Sequence, residues 1–566
     1  MVVKRRSAIL LSGTLLVASL LAWAPAQADD AQSEQLQDEI NAMQHRLQKL
    51  QDQMAETKKE AKSAQQAVQN LPGGVYDAAG RPAGIGVFKG PPSLLPGVKV
   101  TFGGFIEAAG IWRERNEVAD VGDTPFSSLP FPNSPLYHEN EFSLSGRQSR
   151  LAVRATGDID PAQHLEAYYE MDFLGAGVTA NSRESNSYQP RIRQAFLSYD
   201  NDNSHFHLMA GQSWSLVTQD REGMLPLAEN LPLVIDSQYA VGFNWARQPQ
   251  IRFVEDFNQK VWLGVSIESP QVNFASNSIG AVGGASQSGG SVGGNTLPPG
   301  ITVNDLNACQ ASGLLDSTTG CSADEFPDVI EKAGFDTGWG HYEVFGLERF
   351  FSDRVFAAGE SGINKTNTGW GLGGSVLAPV IPKLVDFQAS VLTGQGIGRY
   401  GASQLADVTI GPDGSLVPLR TTQALVGAVG HATPDLDIYG YAGIEQVNAN
   451  FWSIGGVNGG YGNPLAVNNG CSIENTGAGT AGFNDPITGT TCTANVHRTE
   501  ELTVGFWQNL YKGTWGRLTY GMQYEFVKLQ AFAGAAGPVT ATSTPNEGLN
   551  PDNNVVMVSL RYYPFH

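Results

Sequence analysis

From Lys99 onward the hydrophobic pattern has a period of two, in runs of about ten residues, the length of a membrane-crossing β-strand. In "HLEAYYEMDFLG", Leu165, Ala167, Tyr169, Met171 and Phe173 fall on one face, and Glu166, Tyr168, Glu170 and Asp172 on the other. In "KVWLGVSIES", Val261, Leu263, Val265 and Ile267 alternate with Trp262, Gly264 and Ser266; "LDIYGYAGIE" and "GRLTYGMQYEF" behave alike. Two classes of connection alternate between the runs. The short ones read "DIDPAQ", "DNDNS", "DFNQK", "SDR", "VIPKL", "TPDLD" and "YKGTWG". The long ones occupy 113–140, 176–189, 214–240, 269–338, 361–368, 395–419, 448–497 and 528–551. Seven short turns and eight long loops separate sixteen strands. The pattern predicts an all-β fold, a sixteen-stranded antiparallel transmembrane β-barrel over 99–566. Short turns and both barrel ends then lie in the periplasm, and long loops outside. A soluble sandwich, a propeller or a β-helix would not keep two loop classes in strict alternation, and the chain has no internal repeat.

The segment before the barrel differs. Leu36, Ile40, Met43, Leu47, Leu50, Met54, Thr57, Ala61, Ala64 and Val68 recur at alternating spacings of four and three, among Gln, Glu, Asp, Lys and Arg. That seam predicts an α-helical coiled coil over 33–69 that brings copies of the chain together in the periplasm. It weakens to Thr and Ala at its end, and it does not fix the number of helices. Residues 70–98, rich in Gly and Pro, break the helix and form a linker. At the start, Lys4, Arg5 and Arg6 precede an apolar core and the small-x-small site Ala26-Gln27-Ala28. This is an export signal over 1–28, with cleavage before Asp29.

Export accounts for the cysteines. Cys309 and Cys321, and Cys471 and Cys492, form two local pairs in Gly/Ser/Thr-rich loops, and each pair is expected to be a disulfide outside the cell. No C-x-x-C spacing accompanies them, so neither metal nor any other cofactor is expected. A formal net charge of −20 excludes nucleic acid as a natural partner, but it leaves the local field of a lumen undetermined. Gly289-Gly290-Ser291-Val292-Gly293 matches G-x-S-x-G inside a low-complexity loop without the strand and helix of a nucleophile elbow. With no Gly-Lys dipeptide and no H-E-x-x-H in the chain, no enzyme is expected.

The order of short motifs resembles the trimeric sixteen-stranded porins, and more narrowly the DcaP-like outer-membrane channels. The motifs are the heptads, "GGFIEAAG", "SRLAVRATGDID", "RIRQAFLSYD", "GQSWS" and "RQPQIRF". The terminal "YYPFH" departs from the aromatic-terminated barrel ending, with Pro564 interrupting the alternation. The resemblance implies a homotrimer in the outer membrane, in contact with lipid and lipopolysaccharide, that takes up small anionic solutes, dicarboxylates among them.

A lumen this wide needs something to narrow it. The third outer loop, "SLVTQDREGMLPLAENLPLVIDSQ", lacks the Gly/Ser/Asn bulk of the other loops, and its Leu and Pro suit a segment packed on a wall. In general porins this loop folds inward. Its charged candidates are Asp220, Arg221, Glu222 and Glu229, followed by Asp236. Facing it, alternation turns Arg150, Arg154, Arg191, Arg193 and Arg252 into the lumen, with Arg150 and Arg193 the first choices for solute contact. Guanidinium is suited to this because it stays charged and grips carboxylates with two parallel bonds. One residue conflicts with the pattern: Gln194 falls on the lipid side with Ile192 and Phe196, which fits an interfacial position at a strand start. The expected function is passive diffusion of small polar, anionic solutes. The alternatives are a transverse field with acids on one wall, and a structural or adhesive barrel whose outer loops bind partners.

Overall fold

The computed structural model describes residues 97–565 apart from 122–128, 133, 176–188, 275–290, 293–294, 304–323, 358, 466–470, 472–494 and 535–549. The signal, the coiled coil, nearly all of the linker, and Cys309, Cys321 and Cys492 lie outside the described residues. Cys471 is fully buried, and no described cysteine is free.

The strands are β1 (Val98–Arg113), β2 (in two pieces, Glu141–Ser145 and Arg150–Asp160), β3 (Gln163–Gly175) and β4 (Gln189–Asn201). Then come β5 (Phe206–Trp214), β6 (Arg247–Phe257), β7 (Val261–Glu268) and β8 (Asp328–Thr337). The third quarter is β9 (Gly340–Ala357), β10 (Ile363–Ile381), β11 (Val385–Gln395) and β12 (Arg420–Thr433). The last is β13 (Leu436–Val447), β14 (Val496–Gly513), β15 (Gly516–Ala531) and β16 (Asp552–Tyr563). Each pairs antiparallel with its neighbours in sequence, and β16 pairs with β1 from Ile106↔Tyr562 to Arg113↔Val555, which closes the barrel. Closure satisfies every edge, as a strand structure in hydrocarbon requires.

Alternation sorts the side chains as the sequence predicts. Leu151, Leu165, Ile251, Leu263, Val344, Leu372, Val391, Ile438 and Leu502 project outward, each more than a third exposed. An apolar surface that runs round the whole barrel has no place in water but suits a bilayer. At the short-turn end Trp339 and Trp515 are 81% and 78% exposed, the positions of an interfacial aromatic belt.

The same rim is stapled inside by histidines that sit between carboxylates. His207 places Nδ1 2.8 Å from Asp200 and Nε2 3.3 Å from Asp256, joining β4, β5 and β6. His431 places Nδ1 2.7 Å from Asp437 and Nε2 3.1 Å from Asp386, joining β11, β12 and β13. A ring that faces a carboxylate at each nitrogen suits imidazolium, the form that donates twice.

Two expectations are corrected. The short turn expected at Ser352–Arg354 is inside β9, which runs unbroken from Gly340 to Ala357. The chain turns instead at Gly338-Trp339, where Gly340 has φ +135° and a Cβ would lie 2.2 Å from the Leu377 carbonyl oxygen. The polar Ser-Asp-Arg triplet resembles a turn, but Asp353 is a buried inward position in a strand whose alternation continues through Val355. The strand count is unchanged. The second correction concerns Gln194. Glu170 pairs with Gln194 while Met171 pairs with Ile192, so Arg193 is the extra residue of a β-bulge. The bulge turns Arg193 and Gln194 inward together, and Phe196 with them, while Ile192 and Leu197 face out. Gln194 is therefore not at the interface; its side chain accepts a bond from Ser213 Oγ at 3.0 Å.

Candidate functional site

The loop 215–246, between β5 and β6, lies inside the barrel. Leu216, Val217 and Met224 pack on Val254, Trp262, Ile330, Phe345 and Leu347 of β6–β9. Farther along, Val234, Ile235 and Phe243 pack on Ile111, Tyr439, Tyr441, Trp507 and Met557 of β1, β13, β14 and β16. The loop thus crosses from one wall to another, and its Leu, Val and Met side chains are the anchors.

Its backbone would be costly to bury without partners. The walls supply them. Ile235 N donates to Gln523 Oε1 at 2.7 Å, Val241 N to Glu501 at 2.7 Å, and Asp220 N to Glu343 at 2.9 Å.

The predicted acids of the loop belong to this seat. Asp220 meets Lys332 of β8 at 2.8 Å, and Lys332 meets Glu343 of β9 at 2.5 Å, with all three nearly or fully inaccessible. Glu229 pairs through its backbone with Asp220 and is buried, while Glu222 is exposed and Arg221 half-buried. Burial, and after it the charge of Asp220, pushes the Glu229 carboxyl up to about 7.

The arginines divide into two groups. Arg252 is 2% exposed and donates to the carbonyl oxygens of Trp214 at 2.5 Å and Met224 at 3.4 Å. Its guanidinium ties the start of the inward loop to a point ten residues along it. Arg154 pairs with Glu166 at 2.6 Å. Arg191 grips Asp172 with a fork at 3.0 and 2.9 Å, and Arg193 spans Glu170 at 2.5 Å and Asp172 at 2.8 Å. Arg150 lies within electrostatic range of Arg193, Arg561, Glu170 and Asp172. Its guanidinium carbon is 5.3 Å from the Phe105 ring centre, and it has no ion pair among the described residues.

Two members of this cluster escape the sequence reading. Arg561 of β16 bonds Glu107 at 2.9 Å and the Ile235 carbonyl oxygen at 2.8 Å. The alternation of Val556, Val558, Leu560 and Tyr562 already placed it inward. Arg247 is harder to find, because period two puts it on the lipid face with Ile251 and Phe253. As the first residue of β6 it instead leaves the loop toward Arg191, Arg193, Asp172 and Glu170. It lies 5.2 Å from the Trp214 ring and 5.7 Å from the Trp245 ring, and Gln238 accepts from it at 2.5 Å. Its Nε and Nη1 are buried with no hydrogen-bond partner among the described residues. Five guanidiniums (Arg150, Arg191, Arg193, Arg247 and Arg561) thus share one wall with three carboxylates (Glu107, Glu170 and Asp172).

No protein-family model matches the chain, and no curated protein matches it. Solved structures do. The outer membrane channel DcaP of Acinetobacter baumannii superposes with a TM-score of 0.51 at 15% identity, covering 84% of this chain and 99% of that one. An anion-selective porin from Comamonas acidovorans gives a TM-score of 0.38 at 10% identity, covering 82% of this chain and 99% of that one. OmpF of Salmonella typhi, in complex with daunomycin, gives 0.37 at 9% identity, covering 82% and 98%. The first establishes a shared fold; the other two are too distant to bear on this chain.

Proposed function

Starting from the DcaP-like barrel fold, we propose that the chain is an outer-membrane channel for passive diffusion of small polar, anionic solutes, with dicarboxylates as the favoured class. The observation that carries this reading is the local excess of guanidinium over carboxylate in the cluster of Arg150, Arg191, Arg193, Arg247 and Arg561 with Glu107, Glu170 and Asp172, where Arg150 and Arg247 are left without an ion pair among the described residues. A carboxylate passing the inward loop finds donors there that the protein has not used itself. The reading includes a homotrimer in lipid and lipopolysaccharide, gathered by the coiled coil in the periplasm, and outer loops closed by the two cysteine pairs.

Purified protein in a planar bilayer under a salt gradient tests it. Openings in groups of three with an anion-selective reversal potential are expected. Cation preference would remove the anionic part of the proposal, and a protein that never opens would remove the channel itself.

The Glu229 carboxyl adds a pH dependence. Raised to about 7, it is neutral below that pH and negative above it, buried within the inward loop. Anion preference should therefore fall as pH rises from about 6 to about 8, and Glu229→Gln should flatten that change. An equal pH response in both proteins would show that another group is titrating.

A further inference from the structure

A second loop, 396–419, between β11 and β12, is also folded into the barrel. Tyr400 and Leu419 are fully buried, and Leu405 nearly so. Tyr400 donates its hydroxyl to Asp328 of β8 at 2.7 Å, and Arg399 reaches Gln248 of β6 at 2.5 Å. This loop therefore leaves the wall of β11 and β12 and reaches across to the wall where the first loop begins.

The two loops meet. Asn244 and Gly401 form an antiparallel bridge, and Trp245 N donates to the Tyr400 carbonyl oxygen at 2.8 Å. Beneath the junction are Gln423 of β12 and Glu445 of β13, directly opposite each other in the ladder. Gln423 accepts from Asn244 Nδ2 of the first loop at 2.6 Å and donates to the Ile397 and Gly398 carbonyl oxygens of the second at 2.9 and 3.3 Å. Glu445 also holds both loops, with its carboxylate. Its Oε1 accepts from Gly242 N of the first loop at 2.8 Å, and both oxygens accept from Ser403 N of the second at 3.1 Å. Contact is close enough to require glycine: a Cβ on Gly443 would lie 1.6 Å from the Val241 carbonyl oxygen, and one on Gly401 2.2 Å from Glu445 Oε2.

Glu445 is entirely inaccessible, and no Lys or Arg is among its hydrogen-bonding partners in the described residues. A buried carboxylate of this kind is tolerated only where its lone pairs are filled by donors. Both loops supply those donors, so neither can leave without stranding the carboxylate that holds the other.

We infer that loop 396–419 is a second constriction loop, and that Glu445, with Gln423, is a positioning residue that seats both loops together. This rests on the channel reading. The width of the passage is then set jointly, and the first loop alone does not define it.

Two variants test this in the full chain. In Glu445→Gln an amide NH2 confronts the N–H of Gly242 or Ser403, and the ratio of seated to unseated loops should shift by roughly tenfold. The bilayer record should show a matching gain of time in a wider substate, at unchanged heat resistance of the barrel. Excision of 402–417, closed by Gly-Gly, should make that wider level permanent. Ser403 and Thr499, whose hydroxyls lie 2.6 Å apart, allow a rescue. Ser403→Cys with Thr499→Cys, added to Glu445→Gln, should restore the wild-type record when oxidised and lose it on reduction, while the same reductant leaves wild type unchanged. Wild-type conductance and substates in both Glu445→Gln and the excised protein would overturn the inference. If Glu445→Gln does not fold, the excised protein decides alone: a wider channel supports the inference and a wild-type one ends it. Wild type without openings would remove the channel reading and this inference with it.

Discussion

Replacing Arg150 and Arg247 together by Ala should bring the anion preference close to unity. The double variant removes the two guanidiniums of the cluster that lack an ion pair among the described residues, and leaves three guanidiniums facing three carboxylates. A unit charge about 5 Å from a passing ion contributes about 3 kcal/mol at an effective dielectric of about 20; lumen water and salt reduce this to roughly 1 kcal/mol. Two such charges favour a passing anion by about 2 kcal/mol, roughly 30-fold, and disfavour a cation as well, so the anion-to-cation permeability ratio should fall by more than about 30-fold. Reversal potentials under a salt gradient read this directly, and the effect should shrink at high ionic strength. Arg252→Ala provides the contrast. Its guanidinium is used on the Trp214 and Met224 carbonyl oxygens, so its loss should appear as unstable conductance with a smaller change of selectivity. A double variant that keeps the wild-type reversal potential would mean that the cluster does not face the ion path.

Lys332→Met should have the largest effect on stability. The ammonium lies between Asp220 and Glu343 and also donates to the Thr218 carbonyl oxygen at 2.8 Å. Without it two buried carboxylates face each other with only His341, 3.0 Å from Glu343, left beside the pair. Breaking a buried pair of this kind costs about 3–5 kcal/mol. Most of that cost falls on the loop seat, because Asp220 can leave the wall while the barrel ladder stays intact. The expected result is a protein that still assembles but unfolds earlier in denaturant and conducts noisily. Adding Asp220→Asn and Glu343→Gln should recover most of the loss, since neutral partners no longer need the ammonium. A Lys332→Met protein as stable and quiet as wild type would mean that the seat is not held by this triad.

Much of the fold is legible without coordinates, for a simple reason. A barrel wall has one apolar face and one polar face, so each strand writes its orientation into its own sequence at period two. Leu165 and Glu166, or Ile251 and Arg252, reveal their sides without any knowledge of neighbours. The misreadings occur where a local signal is ambiguous or a neighbour decides. Ser352-Asp353-Arg354 has turn composition but carries inward-facing Asp353. Gln194 breaks the period because Arg193 bulges, and a bulge is a property of two strands. Arg247 is concealed by its position at a loop-to-strand junction, and Glu445 because its partners are backbone N–H groups of two distant loops.

The sequence alone therefore determined the order and number of the strands and, outside the β8–β9 hairpin, the Arg193 bulge and Arg247, which side of each strand meets lipid, because these depend on short-range alternation and on loop length. Only the tertiary structure decided how the lumen is filled. Arg150, Arg154, Arg191, Arg193 and Arg252 look equivalent along the chain, yet among the described residues Arg252 is used on loop backbone, Arg154, Arg191 and Arg193 on carboxylates, and Arg150 on neither. The reason is physical: a charged side chain acts through whatever lies within a few ångströms of it, and inside a closed barrel those neighbours come from strands and loops hundreds of residues apart.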